Sequence, residues 1–187
     1  SALLENRYAF AGREVTTSIG PRPGGGQDGP PWRHTGAGEY WFRELQSFDW
    51  LRDLQALATQ ASRARARKLV LHWLDFHTAI DPRPWSPDLV GRRVTAWLSH
   101  AEFLLKDSDL SFSKRFFQGV ALQARHLSRT ARTCEDGSER FLALKGLLYS
   151  GLSLPDGERR TQQALKLLTA ELSRQILPDG GHIERSP

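Results

Sequence analysis

Residues 86–106, SPDLVGRRVTAWLSHAEFLLK, decide the fold class of this chain. Their apolar side chains recur at intervals of three and four residues, at Val90, Val94, Trp97, Ala101 and Leu104. Polar side chains form the opposite stripe, at Arg92, Thr95, Ser99, Glu102 and Lys106. Because a helix places each set on one face, the stretch predicts an amphipathic helix. Ser86 is its predicted N-cap, with Pro87 at the first helical position.

The same periodicity extends outward from this helix in both directions. It predicts helices at roughly 39–58, 60–79, 87–106, 111–133, 138–153 and 158–176, with a break near residues 47–49. The last helix is expected to turn four apolar side chains inward: Leu165, Leu168, Leu172 and Ile176. Short connections rich in Pro, Gly and Asp make neighbouring helices antiparallel hairpins. The helix at 138–153 is apolar on a wide arc, as inner helices are. We therefore predict an all-α fold, an incomplete α/α toroid of antiparallel helical hairpins.

The N-terminal region reads differently from the helical part. Residues 1–20 are expected to be extended, with a short hairpin from Tyr8 to Val15 and glycine at its turn. Residues 20–38 are rich in proline and glycine, which is typical of a loop or linker. The predicted organisation is an extended segment and loop at 1–38, followed by a helical domain at 39–187. The missing methionine and the absence of a terminating element after residue 187 suggest a piece of a larger protein.

Composition restricts the partners and the chemistry. The 187 residues carry 26 Lys and Arg against 21 Asp and Glu, a net charge of +5. A basic surface favours polyanions such as nucleic acid, anionic lipid or an acidic polysaccharide. The single cysteine, Cys134, excludes an internal disulfide and a cysteine-based metal cluster. The apolar runs are too short to span a membrane.

No catalytic or cofactor motif is present in the sequence. Six histidines occur, but none forms a metal-binding pattern with a second histidine or a carboxylate pair. The sequence also lacks a nucleophile elbow, a phosphate-binding loop and a dinucleotide fingerprint. We therefore expect no metal and no cofactor.

Aromatic and basic residues offer the main alternatives for binding. Six tryptophans lie within the first 97 residues, and Trp32, Trp41 and Trp85 stand near loops, where they could stack on sugars or bases. The basic cluster formed by Arg63, Arg65, Arg67 and Lys68 reads mainly as a solvated surface. Arg93, Trp97 and His100 share one helix face. That face is compatible with two interpretations. It is either a ligand site, or a structural face on which Arg93 pairs with a carboxylate and His100 is partly buried with its hydrogen bonds made.

Five stretches together resemble the N-terminal helical domain of the heparinase II/III-like polysaccharide lyases of bacteria. They are residues 48–54 (FDWLRDL), 91–97 (GRRVTAW), 144–155 (LKGLLYSGLSLP), 171–176 (ELSRQI) and 179–187 (DGGHIERSP). The resemblance implies an α/α toroid followed by a β-sandwich domain that this chain lacks. It also implies β-elimination on an acidic, uronic-acid-containing polysaccharide, either of the heparin or heparan-sulfate type or another polyuronide. A periplasmic location is implied as well, and the cytoplasm is not excluded.

The resemblance places substrate binding at seven positions, which are expected to line one rim of the toroid: Arg93, Trp97, His100, Ser138, Glu139, His182 and Glu184. Ser138 stands where the family has its carboxylate-neutralising asparagine, and Ala96 replaces a second asparagine. The catalytic tyrosine would lie beyond Pro187, so this chain alone is expected to be inactive. A non-catalytic glycan-binding or structural helical domain is the alternative. A basic nucleic-acid binder is a third reading, which no recognition motif supports.

Overall fold

The computed structural model describes residues 2–10, 12–17, 30–34, 36–134, 137–177 and 180–181. Within this described part the chain forms eight α-helices: α1 Glu39–Ser47, α2 Leu51–Ala56, α3 Gln60–Phe76, α4 Pro87–Ser99, α5 Ala101–Leu105, α6 Leu110–Thr130, α7 Ser138–Ser153 and α8 Glu158–Gln175. Two strands, β1 (Arg7–Phe10) and β2 (Arg13–Thr16), precede them. The prediction of a mainly helical chain is confirmed.

The predicted N-terminal hairpin is also confirmed. Strands β1 and β2 pair antiparallel, with Tyr8 opposite Val15 and Phe10 opposite Arg13. Gly12 lies in the connection with φ of 74°, a conformation that glycine adopts without steric cost.

Two of the predicted helices are each divided in the structure. The helix predicted at 39–58 is divided into α1 and α2. It breaks at Phe48, directly after α1, where the backbone is left-handed with φ of 62°, close to the expected break. The helix predicted at 87–106 is divided into α4 and α5 by an interruption at His100, which the periodicity did not indicate. Ser86 lies at the predicted N-cap position, and its carbonyl accepts the first helical hydrogen bond, from the amide of Val90 at 3.0 Å. Its hydroxyl is buried and makes no capping hydrogen bond to any described residue. Pro87 does open α4 as predicted.

The chain divides into two compact units. Unit 1 comprises Ser1–Pro84 and Ser99–Gly119, and unit 2 comprises Trp85–Leu98 and Val120–Pro187. The strand pair and helices α1, α2, α3 and α5 therefore belong to unit 1. Helices α7 and α8 belong to unit 2, together with nearly all of α4 and the second half of α6.

An aromatic cluster forms the centre of unit 1. The ring centroid of Phe48 lies 5.5 Å from that of Trp32, 4.7 Å from Trp50 and 6.3 Å from Trp73. Inside the cluster, Trp73 Nε1 donates a hydrogen bond of 2.7 Å to Gln46 Oε1. The left-handed backbone at Phe48 costs about 1–2 kcal/mol. Burial of its ring among three tryptophans offsets that cost.

Two arginines of the predicted surface cluster stabilise unit 1 from inside. Arg65 donates to the carbonyl of Leu3 at 2.9 Å and to the hydroxyl of Tyr8 at 2.8 Å, which fastens the N-terminal segment to α3. Arg67 donates from Nε to the carbonyl of Leu104 at 2.7 Å, at the end of α5. The solvated-surface interpretation is therefore wrong for these two residues. They satisfy backbone carbonyls that would otherwise lack partners.

Unit 2 depends on a close helix crossing between α4 and α7. A Cβ atom built on Gly91 would lie 2.1 Å from the carbonyl oxygen of Leu142. A Cβ atom built on Gly146 would lie 2.5 Å from the Cα atom of Gly91. Only residues without a side chain allow this approach, so the two glycines set where the helices cross.

Helices α7 and α8 form an antiparallel hairpin. Arg140, in the first turn of α7, forms a 3.1 Å ion pair with Glu171 near the end of α8. Gln175 Nε2 also donates to the carbonyl of Gly137, directly before α7, at 3.3 Å. At the other end of the hairpin, Gly151 lies against the start of α8. The beginning of α7 therefore meets the end of α8.

The predicted inward face of α8 is wrong for three of its four residues. Leu168 is partly buried. Leu165, Leu172 and Ile176 are 50%, 47% and 42% exposed, whereas Glu171 and Gln175 are buried. The reason is the ion pair with Arg140, which places a polar edge of α8 against α7. The apolar stripe of the helix consequently lies on its outer surface.

Candidate functional site

Two of the predicted ligand residues, Arg93 and Trp97, lie in the interior of unit 2. Both side chains are fully buried on α4. Arg93 Nε donates a 2.6 Å hydrogen bond to Gln123 Oε1 on α6. Its guanidinium carbon lies 5.9 Å from the centroid of the Trp85 ring. The observed contacts therefore link α4 to α6, and the guanidinium reaches no solvent.

The buried guanidinium has an unusual environment. Burial lowers the pKa of Arg93 to about 9, and the carboxylate of Asp88 opposes that shift. The side chain therefore remains a cation at neutral pH, inside the unit. A buried charge is tolerated only when polar groups surround it, and Gln123 and Asp88 supply them here.

A partly buried histidine, His126, lies beside this polar cluster. His126 Nε2 donates to the carbonyl of Trp85 at 2.8 Å, which assigns the proton to that nitrogen. The imidazole also makes an edge-to-face contact with the Trp85 ring, at 5.3 Å between centroids. Burial lowers the pKa of His126, an effect that the hydrogen bond to Trp85 opposes and the nearby Arg93 reinforces. The ring is therefore neutral at pH 7.

His100 belongs to unit 1 and is partly buried there. Its Nδ1 atom is hydrogen-bonded to Gln55 Oε1. Burial lowers the pKa of His100, and the carboxylate of Asp49 opposes the shift. Arg93 and Trp97 belong to unit 2, so the predicted three-residue face divides between the two units.

The remaining predicted site residues lie at the start of α7 and beyond α8. Ser138 is exposed and Glu139 is partly buried, and Ser138 Oγ donates to Glu139 Oε2 at 3.3 Å. His182 and Glu184 lie outside the described residues. The structure therefore brings together Arg93 with Trp97, and Ser138 with Glu139. A role in ligand binding for the seven residues stays a prediction.

The expected aromatic surface is absent from the described part of the chain. Each of the six tryptophans is at most 4% exposed, including Trp32, Trp41 and Trp85 near the loops. Trp41 Nε1, for example, donates to the carbonyl of Tyr8 at 3.0 Å. The suggestion that loop tryptophans stack on sugars or bases is therefore wrong, because these rings pack inside the two units.

A basic cavity that sequence reasoning missed lies in unit 2. Its described lining consists of Arg132, Arg159, Gln162, Gln163, Lys166 and Leu167. The cavity lies between the end of α6 and the first half of α8. Gln163 Nε2 fixes this arrangement by donating to the carbonyl of Ser128 at 2.9 Å. The available signal was the spacing of Arg159, Gln162 and Lys166, which share one face of α8.

The cavity combines three cations with two amides and an apolar wall. No carboxylate occurs among its described lining residues. Arg132, Arg159 and Lys166 are exposed and form no ion pair with any described residue. Such a lining can accept carboxylate or phosphate oxygens through charged hydrogen bonds.

The described residues offer neither a metal site nor a membrane-spanning helix. No group of three or more His, Cys, Asp or Glu side chains is placed to hold a metal ion. None of the described helices is both long and apolar enough to cross a membrane.

Comparison with known proteins gives one informative relative. The chain is 34% identical over 163 residues to FtsZ-localized protein C of Caulobacter vibrioides. The match covers 87% of this chain and 28% of the relative, so the chain corresponds to less than a third of that protein. No protein-family model matches the sequence, and no solved structure matches it.

These findings overturn the functional interpretation drawn from the sequence. The resemblance to heparinase II/III-like polysaccharide lyases is wrong, because the relative is named for its localisation with FtsZ and no lyase evidence accompanies it. The inferred β-elimination on a polyuronide is corrected on the same ground. The acidic polysaccharide partner is likewise corrected. The periplasmic location, implied only by that resemblance, loses its basis.

Proposed function

We propose that this chain is a helical region of a protein that localises with FtsZ, a component of the bacterial cell-division machinery. The observation that carries the proposal is the 34% identity over 163 residues to FtsZ-localized protein C. The region acts as a non-catalytic interaction module and contributes to localisation by binding a protein partner. Its working compartment is the cytoplasm, where it would meet FtsZ.

The surface chemistry of the described residues supports an interaction role. Unit 2 exposes an apolar stripe on α8, formed by Leu165, Leu172 and Ile176. It also presents the basic cavity formed with the end of α6. Contiguous apolar surface beside unpaired charge is typical of protein-binding faces.

The same proposal includes an incomplete α/α toroid as the architecture of the chain. The α7–α8 hairpin and the close crossing of α4 with α7 are the local geometry that an incomplete α/α toroid requires. We propose that further antiparallel hairpins continue this arrangement. The division into a segment at 1–38 and a helical domain at 39–187 is proposed with it. An experimental structure of the chain would test both.

Localisation in living cells tests the proposed function directly. The 187-residue chain, fused to a fluorescent protein, is expressed in a bacterium whose FtsZ carries a second fluorophore. We expect the fusion to coincide with FtsZ at the division site and to disperse when FtsZ is depleted. The fluorescent protein alone is the control. A fusion that is folded, intact and evenly distributed while FtsZ is assembled would overturn the proposal.

A further inference from the structure

We propose that the basic cavity of unit 2, defined above by its lining residues, binds a short acidic segment of a protein partner. The inference deepens the proposed function, on which it rests for the identity of the partner. It names the chemistry of the partner segment and the residues that hold it.

The first argument is that the cavity cations are not used by the fold. Elsewhere in the chain, Arg65 and Arg67 bind backbone carbonyls and Arg140 binds Glu171. Arg159 and Lys166 make no such contact with the described residues. Glu158, one residue before Arg159, instead accepts a hydrogen bond from Gln162 Nε2 at 3.2 Å. The positive charge around the cavity is therefore available to a ligand.

The second argument is convergence of charge from two elements. Arg132 follows the end of α6, whereas Arg159 and Lys166 project from α8. Two further exposed arginines, Arg125 and Arg129, lie four residues apart on α6 and so share a face. The lining cations thus come from two elements, α8 and the turn after α6, and can approach a ligand from two sides. A single charged stripe would attract an anion only diffusely.

The third argument concerns the size and shape of the ligand. Arg159 and Lys166 are seven residues apart, which is about 10 Å along a helix axis. An extended peptide covers that distance in about three residues. Carboxylates at its ends can thus reach both cations. The amide nitrogens of Gln162 and Gln163 already donate to Glu158 and Ser128, and their amide oxygens can accept hydrogen bonds from the backbone of the peptide. Leu167 provides apolar wall for the aliphatic part of an Asp or Glu side chain.

The composition of the cavity lining also favours a peptide over a nucleic acid as the ligand. Binding of single strands relies on aromatic side chains that stack on the bases. The described lining of the cavity contains no aromatic residue. Arginine forks and side-chain amides match carboxylates and peptide groups instead.

The test measures binding of a defined acidic probe to the intact 187-residue chain. The probe is a fluorescein-labelled peptide of alternating aspartate and glutamate, and its Asn/Gln analogue is the neutral control. Affinity is measured by fluorescence anisotropy in about 50 mM and about 300 mM salt, since screening weakens charge contacts. The cavity variant carries Arg132→Glu, Arg159→Glu and Lys166→Glu.

A matched variant separates a specific site from general charge. It carries Arg52→Glu, Lys68→Glu and Lys114→Glu, which produce the same change in net charge at exposed positions of unit 1. We expect the cavity variant to lose affinity by about tenfold or more, because several charged hydrogen bonds disappear. The matched variant should retain affinity within about twofold. Circular dichroism confirms that both variants are folded.

Several results would overturn the inference. Equal losses in the two variants would mean diffuse attraction, and equal binding of the acidic and neutral peptides would exclude charge recognition. Tighter binding of single-stranded DNA or of anionic vesicles, lost in the cavity variant, would assign the cavity to another polyanion. Two outcomes distinguish failure of this inference from failure of the proposed function. If the cavity variant still localises with FtsZ, only this inference fails; if the wild-type chain binds the acidic probe yet never localises with FtsZ, only the proposed function fails.

Discussion

Substitution of Gly91 by alanine tests the helix crossing on which unit 2 depends. The added Cβ would lie 2.1 Å from the carbonyl oxygen of Leu142, more than 1 Å inside ordinary van der Waals contact. The obstructing atoms belong to the backbone of α7, so no side-chain rotation relieves the clash. Overpacking of this kind costs typically 1–3 kcal/mol. We expect a net loss at the upper end of that range, about 3 kcal/mol, because whole helices must separate.

The sign of the change in stability distinguishes a helix crossing at Gly91 from an open helix surface. Alanine is favoured over glycine by about 1 kcal/mol inside a helix that is free of contacts. A crossing at Gly91 therefore predicts destabilisation, and an open helix surface predicts stabilisation. For a chain of this size, the expected loss lowers Tm by roughly 6–12 °C.

Urea unfolding followed by circular dichroism measures the change. The midpoint should fall while the slope with urea stays unchanged, which indicates lost stability without a change in unfolded surface. Gly36→Ala is the control, because the nearest described atom to a Cβ there, apart from its chain neighbours, would be His34 Nε2 at 3.7 Å. It should change the free energy of unfolding by less than about 0.5 kcal/mol. Equal or greater stability of Gly91→Ala would refute the crossing of α4 with α7.

Two further predictions concern buried polar groups in unit 2. Arg140→Ala should lower the free energy of unfolding by roughly 2–4 kcal/mol, because it removes the close ion pair of the buried Glu171 carboxylate. Arg174 at 3.6 Å and the side-chain amide of Gln175 would remain beside that carboxylate. In urea unfolding, a loss below about 1 kcal/mol would contradict the importance of this ion pair. Burial lowers the pKa of His126 in the fold below its ordinary value of 6.5, so the unfolded chain binds the proton more readily, and the contribution of His126 is present above pH 6.5 and lost as the pH falls below it. Burial also lowers the pKa values of His72 and His100. The Tm should therefore fall between about pH 7 and pH 5, and His126→Gln should reduce the dependence of Tm on pH. An identical dependence in the two proteins would count against a neutral, partly buried imidazole at His126.

The periodicity around residues 86–106 predicted most of the apolar side chains that enter the core, although Ala101 is only partly buried. Val90, Val94, Trp97 and Leu104 are all fully buried as expected. The same pattern failed on α8, because its buried edge is set by a partner, Arg140 on α7, and not by its own hydropathy. Long-range pairing of this kind leaves no trace in the sequence of one helix.

The candidate site was harder to predict than the fold. Arg93 was identified from its helical position, but a burial that depends on Gln123, 30 residues away, cannot be read from spacing. The basic cavity was missed because Arg132 and Lys166 come from separate elements. Charge in one helix is visible in a sequence, whereas charge collected around a cavity requires the tertiary structure.

The family resemblance misled because its glycines have a structural cause. In residues 144–155, Gly146 permits the crossing with α4. A Cβ on Gly151 would lie 2.5 Å from Thr161 Oγ1, at the start of α8. Glycines at these spacings therefore report how closely helices pack. They carry no information about a reaction, and unrelated helical proteins with similar hairpins can share them.

The most direct test of the central claim is binding between the purified chain and purified FtsZ from the same bacterium. FtsZ is immobilised on a biosensor surface, and the 187-residue chain is supplied over a range of concentrations, with the folded Arg132→Glu, Arg159→Glu, Lys166→Glu variant measured in parallel. The account predicts saturable, reversible binding of the wild-type chain that weakens about tenfold or more in the variant. No saturable binding by the folded wild-type chain would contradict a direct contribution of this region to association with FtsZ.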